Sequence, residues 1–319
     1  MGEHDHIFKR AFHLPEHVRG ELVAVLPERV LDIVDLDSLQ LVASTGVVDR
    51  WLKERFVDAL FSASFRGATG YIWLLVEHQS RPEHFMVLRT LEYLLRAWTE
   101  LLRLERERKT LPPVVCVIVH HGEQGWNAPT RLSELVEGLD QVPELASFVP
   151  DFEIIVDDLV KQPDEALKRR PLPLFPKVVL WVLRDARTLQ RFYGHLVAWS
   201  EELSQLSRES PEDAASVMRY ILEVAGDESF ESIQERITAV VPAAEEVMST
   251  AAEQLMRRGE AKGKAEGKAE DILAIFETRG LTVTGEQRAR ILRSKDTAEL
   301  DRWLRKAVTA ESAAELFSQ

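Results

Sequence analysis

The sequence is poor in cysteine, and Cys116 is the single one among its 319 residues. One thiol cannot form an internal disulfide, which excludes the small disulfide-stapled folds and favours a reducing, cytoplasmic environment. Cys116 lies within an apolar run, so we expect an inert thiol in the core rather than a nucleophile.

Long hydrophobic runs are also missing. No apolar run approaches the roughly 20 residues that span a bilayer, and the first ten residues, MGEHDHIFKR, lack the apolar core of a signal peptide. We therefore expect no membrane partner. Because 45% of the residues are hydrophobic, a chain of this length can bury a substantial core and form more than one domain.

Positive charge is in deficit. The 40 Lys and Arg residues are outnumbered by 53 Asp and Glu residues, which gives a net charge of −13. This balance argues against a surface coated in positive charge for tight, non-specific nucleic-acid binding. It does not exclude a nuclease, because a nuclease needs only a local basic groove and because clustered carboxylates are themselves metal ligands.

The segment ERFVDALFSASFRGATGYIWLLVEHQS predicts a β-hairpin. Two β-prone runs flank the turn signal RGATG, which indicates a strand over 56–65, a turn over 66–69 and a strand over 70–78. We expect the turn to be centred between Gly67 and Ala68. The numbers of directly opposed residues then sum to 135.

The open end of this hairpin is polar. The sum places Asp58 opposite Glu77, with Cβ atoms roughly 5 Å apart, and Gln79 follows on the same face. Two carboxylates this close repel unless a cation or a shared proton compensates. Such oxygen ligands suit Mg²⁺, and the backbone carbonyl of His78 is a further candidate ligand. In the alternative interpretation, Asp58 is a solvent-facing turn residue that begins the first strand, and Glu77 is the residue at which the second strand reaches solvent.

The residues after the hairpin predict a βαβ unit and then a helical region. A helix follows the hairpin, and the strand PPVVCVIVHHGEQGW comes next, joined by a right-handed crossover. A short strand over 152–159 ends in acids, and the pattern is helical from about residue 165. The apolar stripe of the crossover helix comprises Phe85, Leu88, Leu91, Leu95, Trp98 and Leu102.

Glycines recur every four residues at Gly259, Gly263 and Gly267. They indicate either a helix whose small ridge permits close packing or a mixed-charge linker with residual helicity. We expect four parts of the chain, with bounds 1–190, 191–255, 256–270 and 271–319. The last of these is a small helical domain, and the C-terminal helical region is a candidate for homo-oligomer formation.

Several motifs, in order, resemble the Rpn family of recombination-promoting nucleases, also described as YhgA-like transposases. They include HDHIFKRAF (4–12), VDALFSASF, YIWLLVEHQS and VIVHHGEQGWNAP, and the resemblance covers roughly residues 4–190. The family is similar to PD-(D/E)xK nucleases. The resemblance implies an α/β fold with a restriction-endonuclease-like core, a mixed sheet flanked by helices, followed by an α-helical C-terminal region.

The resemblance also implies roles for individual residues. Asp58 is then the Asp of the nuclease motif, Glu77 its acid, and Gln79 stands where a Lys is usual. A neutral amide orients water but offers no positive charge. Lys9 is a candidate source of that charge, or a solvated helix residue. Asp5 either helps to position the site or simply begins the helix.

Further polar residues have two interpretations each. His121 is a candidate general acid, although a structural hydrogen bond at the strand end is the more common role for such a residue. Asp157 and Asp158, which end the next strand, are candidates only for the periphery of the site. The arginines of the crossover helix either contact phosphates or form a solvated face with Glu partners.

Three functions follow from these interpretations. The first is a Mg²⁺-dependent DNA endonuclease linked to recombination or mobile elements. The second is a catalytically weak or inactive relative that binds DNA or protein, or self-associates. The third is a ribonuclease, which the sequence does not separate from a deoxyribonuclease.

Overall fold

A computed structural model describes residues 3–42, 59–77 and 82–317, without the side chains of Glu3, Val76 and Glu77. The chain divides into two compact units, Met1–Met248 and Ser249–Gln319. Within the described ranges, none of the helices combines the length and the apolar character that crossing a membrane requires.

The first unit is built on a mixed sheet. Among the described residues the sheet has five strands in the order β1-β2-β3-β4-β5, which is also their order along the chain. The first three strands pair antiparallel, and β3, β4 and β5 pair parallel. This confirms the α/β class. The strands are β1 Val34–Leu41, β2 Ala59–Phe65, β3 Ala68–Glu77, β4 Val114–His120 and β5 Ile155–Asp158.

The β2–β3 hairpin confirms the prediction of two paired strands but corrects its turn. Phe65 pairs with Ala68, so opposed residues sum to 133 rather than 135, and Arg66 and Gly67 alone form the turn. Both have positive φ, 49° and 88°, as a two-residue hairpin turn of type I′ requires. The predicted turn over 66–69 was too long because Gly67 already supplies the reversal, which leaves Thr69 free to pair with Ser64.

The crossover helix α4, Met86–Leu104, joins β3 to β4. The predicted apolar stripe was wrong in part as the buried face, because Leu88, Leu95 and Leu102 are 41–53% exposed. Two of its members, Leu91 and Trp98, do pack against the core beside the sheet. Apolar residues cover more than half of this helix, and the sheet contacts another part of it. That buried face comprises Met86, Val87, Thr90, Tyr93, Leu94, Ala97 and Leu101.

The other helices of the first unit surround the sheet or follow it. Pro27 lies between the second and third of these helices. The helices begin and end as follows: α1 Glu3–Ala11, α2 Pro15–Val25, α3 Glu28–Leu31, α5 Asp164–Arg169, α6 Leu174–Asp185, α7 Leu189–Leu196, α8 Ser200–Glu209, α9 Pro211–Val224 and α10 Phe230–Val240.

The long helix α11, Glu245–Thr278, contains the whole glycine repeat. A Cβ atom added at Gly259, Gly263 or Gly267 would meet no atom within 4 Å, so the small ridge packs against nothing in the described chain. Two short helices follow, α12 Gly285–Arg293 and α13 Thr297–Thr309. Their core with the end of α11 includes Ala269, Ile272, Phe276, Ile291, Leu300, Trp303 and Ala307.

Candidate functional site

The carboxyl ends of the three parallel strands lie along one edge of the sheet. Glu77 of β3 is the register partner of His120 in β4, and His120 is in turn the partner of Asp158 in β5. Parallel strands present their carboxyl ends on the same side, which is where α/β proteins commonly bind ligands. Glu77, one of the predicted metal ligands, therefore ends its strand at an edge that is rich in polar residues.

Most residues of the predicted metal site lie outside the described ones. Asp58, His78 and Gln79 are among these, and of Glu77 only the backbone is described, as the last residue of β3. The pairing of Asp58 with Glu77 was predicted from the sum of 135, whereas the described ladder sums to 133. A difference of two is one full repeat of the pleat, so it changes the opposed partner but not the face to which a strand residue belongs.

Helix α1 contacts β3. It carries two further residues of the predicted site. Asp5 and Lys9 are both half-buried and stand four residues apart, so they share one side of this helix. The helix is anchored by a separate apolar face. That face comprises Ile7, Phe8, Ala11 and Phe12, all 5% exposed or less.

His121 follows β4 and is 1% exposed. Its Nδ1 lies 3.0 Å from the carbonyl oxygen of Leu183, and because a carbonyl only accepts, Nδ1 carries the proton. The ring of His4 stands 4.9 Å from the His121 ring, and His4 Nδ1 lies 2.7 Å from the hydroxyl oxygen of Tyr220. Burial raises the pKa of Tyr220, so its hydroxyl stays neutral. These contacts orient His121 but leave its chemical role a prediction.

Asp157 is held in a buried ion cluster. Arg170 donates to both oxygens of Asp157, at 2.8 and 2.7 Å, and to Glu21 at 2.7 Å. All three residues are at most 7% exposed. Burial, followed by the charge of Asp157, raises the pKa of Glu21 to about 8, so one guanidinium balances one carboxylate and Glu21 is largely protonated at neutral pH.

Asp158 is also held by contacts within the fold. Its Oδ2 accepts the backbone N–H of Trp126 at 2.7 Å and lies 3.0 Å from the Lys161 ammonium. Lys161 in turn donates to the carbonyl of Trp126 at 2.9 Å. Asp158 thus fastens the loop after β4 to the end of β5.

A second cluster, formed by residues of α5, α6 and α7, has ligand-type side chains that the sequence analysis missed. One ligand atom each from Asp164, Asp185 and His195 lies within 4.8 Å of the other two. The Arg184 guanidinium nitrogen Nη2 already contacts all three, at 2.5, 2.6 and 3.1 Å. Because this nitrogen supplies the positive charge, the cluster fits an ion-pair network better than a metal. The three residues are spread over 32 positions and follow no local motif, so the sequence offered no signal.

The arginines of the crossover helix are neutralised locally. Arg96 pairs with Glu92 at 2.5 Å, Arg103 with Glu100 at 2.7 Å, and Arg89 with Glu83. Arg108 pairs with Glu105 just beyond the helix, at 2.7 Å. These pairs match a solvated face with Glu partners rather than a surface that contacts phosphates.

Comparison with known proteins places the chain among sequences of one family. The profile of the family described as "Putative transposase, YhgA-like" matches residues 2–214. No solved structure matches the chain.

Three curated relatives from Escherichia coli match over most of their length. The recombination-promoting nuclease RpnD of strain O157:H7 is 27% identical over 79% of this chain and 93% of its own. The recombination-promoting nuclease RpnA of strain K12 is 28% identical over 81% of this chain and 84% of its own. The inactive recombination-promoting nuclease-like protein RpnE of strain K12 is 28% identical over 85% of this chain and 87% of its own. The resemblance seen in the motifs is thereby confirmed, and the chain belongs to the YhgA-like transposase family.

Proposed function

We propose that this protein is a divalent-metal-dependent DNA endonuclease linked to recombination or mobile elements. The observation that carries the proposal is the polar carboxyl edge of β3, β4 and β5, where Glu77 ends its strand beside His120. The similarity to RpnD and RpnA, both named recombination-promoting nucleases, supports the reaction class.

The ligand set is the one that the resemblance to PD-(D/E)xK nucleases implies, and two other acids near that edge are already held by the fold. Asp157 is balanced by Arg170, and the Oδ2 atom of Asp158 accepts from Trp126 and lies beside Lys161, so both are weaker candidates as principal ligands. We assign the metal to Asp58 and Glu77, with the backbone carbonyl of His78 as a third donor. Hard oxygen donors of this kind suit Mg²⁺, which when bound lowers the pKa of water and stabilises charge on phosphate.

The remaining site residues would act on the water and the phosphate. Gln79 would orient the attacking water through its amide, since it has no charge to offer. Lys9, on the helix that contacts β3, would supply positive charge toward the phosphate, and Asp5 one turn earlier would position Lys9. His121, whose Nδ1–H is held by the carbonyl oxygen of Leu183, would act as general acid toward the leaving oxygen in its doubly protonated form, with the transferred proton on Nε2.

Plasmid nicking by the purified full chain tests this function. We expect nicking with Mg²⁺ or Mn²⁺, none with EDTA, and a loss of about 100-fold or more in Asp58→Asn and Glu77→Gln. Asp37→Asn is the matched control, because Asp37 lies on β1 and is an exposed carboxylate paired with Arg19 of α2. Equal nicking by the wild type and both site variants, or nicking that survives EDTA, would refute the assignment.

The second candidate function is a catalytically inactive, DNA-binding relative. It is favoured by the similarity to RpnE, which is named as inactive, together with the neutral Gln79 in place of a Lys. The same experiment separates the two functions. If the wild type binds the plasmid but does not nick it with any divalent metal, the protein is the inactive, DNA-binding relative.

A further inference from the structure

The C-terminal unit contains a local excess of positive charge in an acidic chain. Residues 279–306 have eight Lys and Arg residues and four Asp and Glu residues, a net charge of +4. The whole chain has a net charge of −13. The excess falls on α12, α13 and the residues around them.

The architecture of this stretch is a helix, a short turn and a helix. Residues 294–296 join α12 to α13. The two helices pack on the last part of α11 through Ile291, Leu300 and Trp303. Two short helices joined by a three-residue turn and packed on the end of a preceding helix follow the order of elements in helix-turn-helix DNA-binding units.

Most of the acids in this stretch are already used by the fold. Asp296 caps α13 by accepting the backbone N–H groups of Ala298 and Glu299. Glu299 accepts the Ser294 hydroxyl at 2.7 Å, and Asp301 pairs with Lys268 at 2.6 Å. Glu286, in the first turn of α12, is the remaining acid.

The cations are in the opposite situation. Exposed cations in this stretch that contact no carboxylate among the described residues include Arg288, Arg290, Arg293, Lys295 and Arg302. The Arg290 guanidinium lies 4.3 Å from the centre of the Phe317 ring, which holds it without neutralising it. Arg290 and Arg293 also line a groove of about 710 Å³ beside Trp303, and Glu286 and Glu299 line the same groove.

We propose that this basic surface, defined by the five cations from Arg288 to Arg302, binds the phosphate backbone of duplex DNA. Unpaired guanidinium groups on an ordered helical unit suit bidentate contacts to phosphate oxygens. A second copy of the chain is the weaker partner, because a two-fold interface on this surface would set the same cations against each other. The inference rests on the proposed function only in taking DNA as the substrate.

Fluorescence anisotropy with the full chain, EDTA and a labelled 30-base-pair duplex tests the proposal. The test variant is Arg290→Ala, Arg293→Ala and Arg302→Ala together. The matched control is Arg96→Ala, Arg103→Ala and Arg108→Ala, which changes the net charge equally but removes arginines paired with Glu. We expect about 10- to 100-fold weaker binding for the test variant and a salt slope smaller by about two to three. The control should bind within about twofold of wild type.

Four outcomes would overturn the proposal. They are a wild type that does not bind the duplex, a test variant that binds as wild type does, equal losses in test and control variants, and a change of mass by light scattering in the test variant with DNA binding intact. A parallel variant with three Arg→Lys substitutions at the same positions should retain most of the binding, which guards against a folding defect.

The outcome is separate from that of the proposed function. Binding in EDTA requires no cleavage, so a protein that binds through this surface but never nicks DNA contradicts only the nuclease. A protein that nicks DNA but binds independently of these arginines contradicts only the basic surface.

Discussion

The two compact units use their arginines in different ways. In the first unit, Arg170 and Arg184 are at most 7% exposed and each contacts two carboxylates. In the second unit, Arg290, Arg293 and Arg302 are exposed and form no ion pair with the described residues. A buried arginine with two acids holds elements of the fold together, whereas an exposed arginine without an acid retains its charge for a partner.

The largest effect should come from breaking the buried cluster of the first unit. Arg170→Met would leave Glu21 and Asp157 buried without a cation, which costs roughly 3–5 kcal/mol in the free energy of unfolding. Arg302→Met, in the second unit, should change it by less than about 0.5 kcal/mol. Urea denaturation of both variants measures the contrast, and losses of similar size would contradict it.

The same cluster should make stability depend on pH. Because the native pKa of Glu21 is raised to about 8, the native state keeps a proton that the unfolded chain releases above about pH 4.5. The free energy of unfolding should therefore fall as pH rises from about 5 to 8, by on the order of 3 kcal/mol. In Glu21→Gln this fall should disappear, and parallel curves for variant and wild type from thermal melts would count against the cluster as its cause.

Two glycines provide a finer contrast between packed and open surfaces. A Cβ atom at Gly20 would overlap the backbone carbonyl of Pro171, so Gly20→Ala should destabilise the protein by about 1–3 kcal/mol. Gly263 stands in α11 with no atom near its missing Cβ. Gly263→Ala should stabilise that helix by about 0.5–1 kcal/mol. Calorimetry of both variants checks the opposite signs, and a destabilised Gly263→Ala would show that something packs on the ridge.

The smallest effect is expected on the crossover helix. Arg96 and Glu92 are both more than half exposed in their side chains, so solvent screens the pair. Arg96→Ala should lower the free energy of unfolding by about 0.5 kcal/mol or less. A loss well above 1 kcal/mol in urea denaturation would mean that this pair is less solvated than the structure shows.

Much of the fold could be predicted from local patterns. The two strands around Gly67, the crossover helix between parallel strands and the capping box that begins α12 at Thr284 all follow from short-range chemistry. The register of the hairpin could not, because two nearby glycines offered alternative turns and the sequence does not show which one reverses the chain. The buried face of α4 could not either, because apolar residues surround most of the helix and only the sheet decides which of them it covers.

The candidate site divides in the same way. The sequence by itself determined where polar residues follow apolar strands, and so it singled out Glu77, His121, Asp157 and Asp158. Only the tertiary structure decided which acids the fold already uses, because the Arg170 guanidinium reaches Asp157 and the backbone N–H of Trp126 reaches Asp158 through contacts that no local pattern encodes. The charge of the arginines depends on the tertiary structure in the same way. The sequence shows how many arginines there are, but the fold determines which of them lie beside a carboxylate and which keep their charge for a partner.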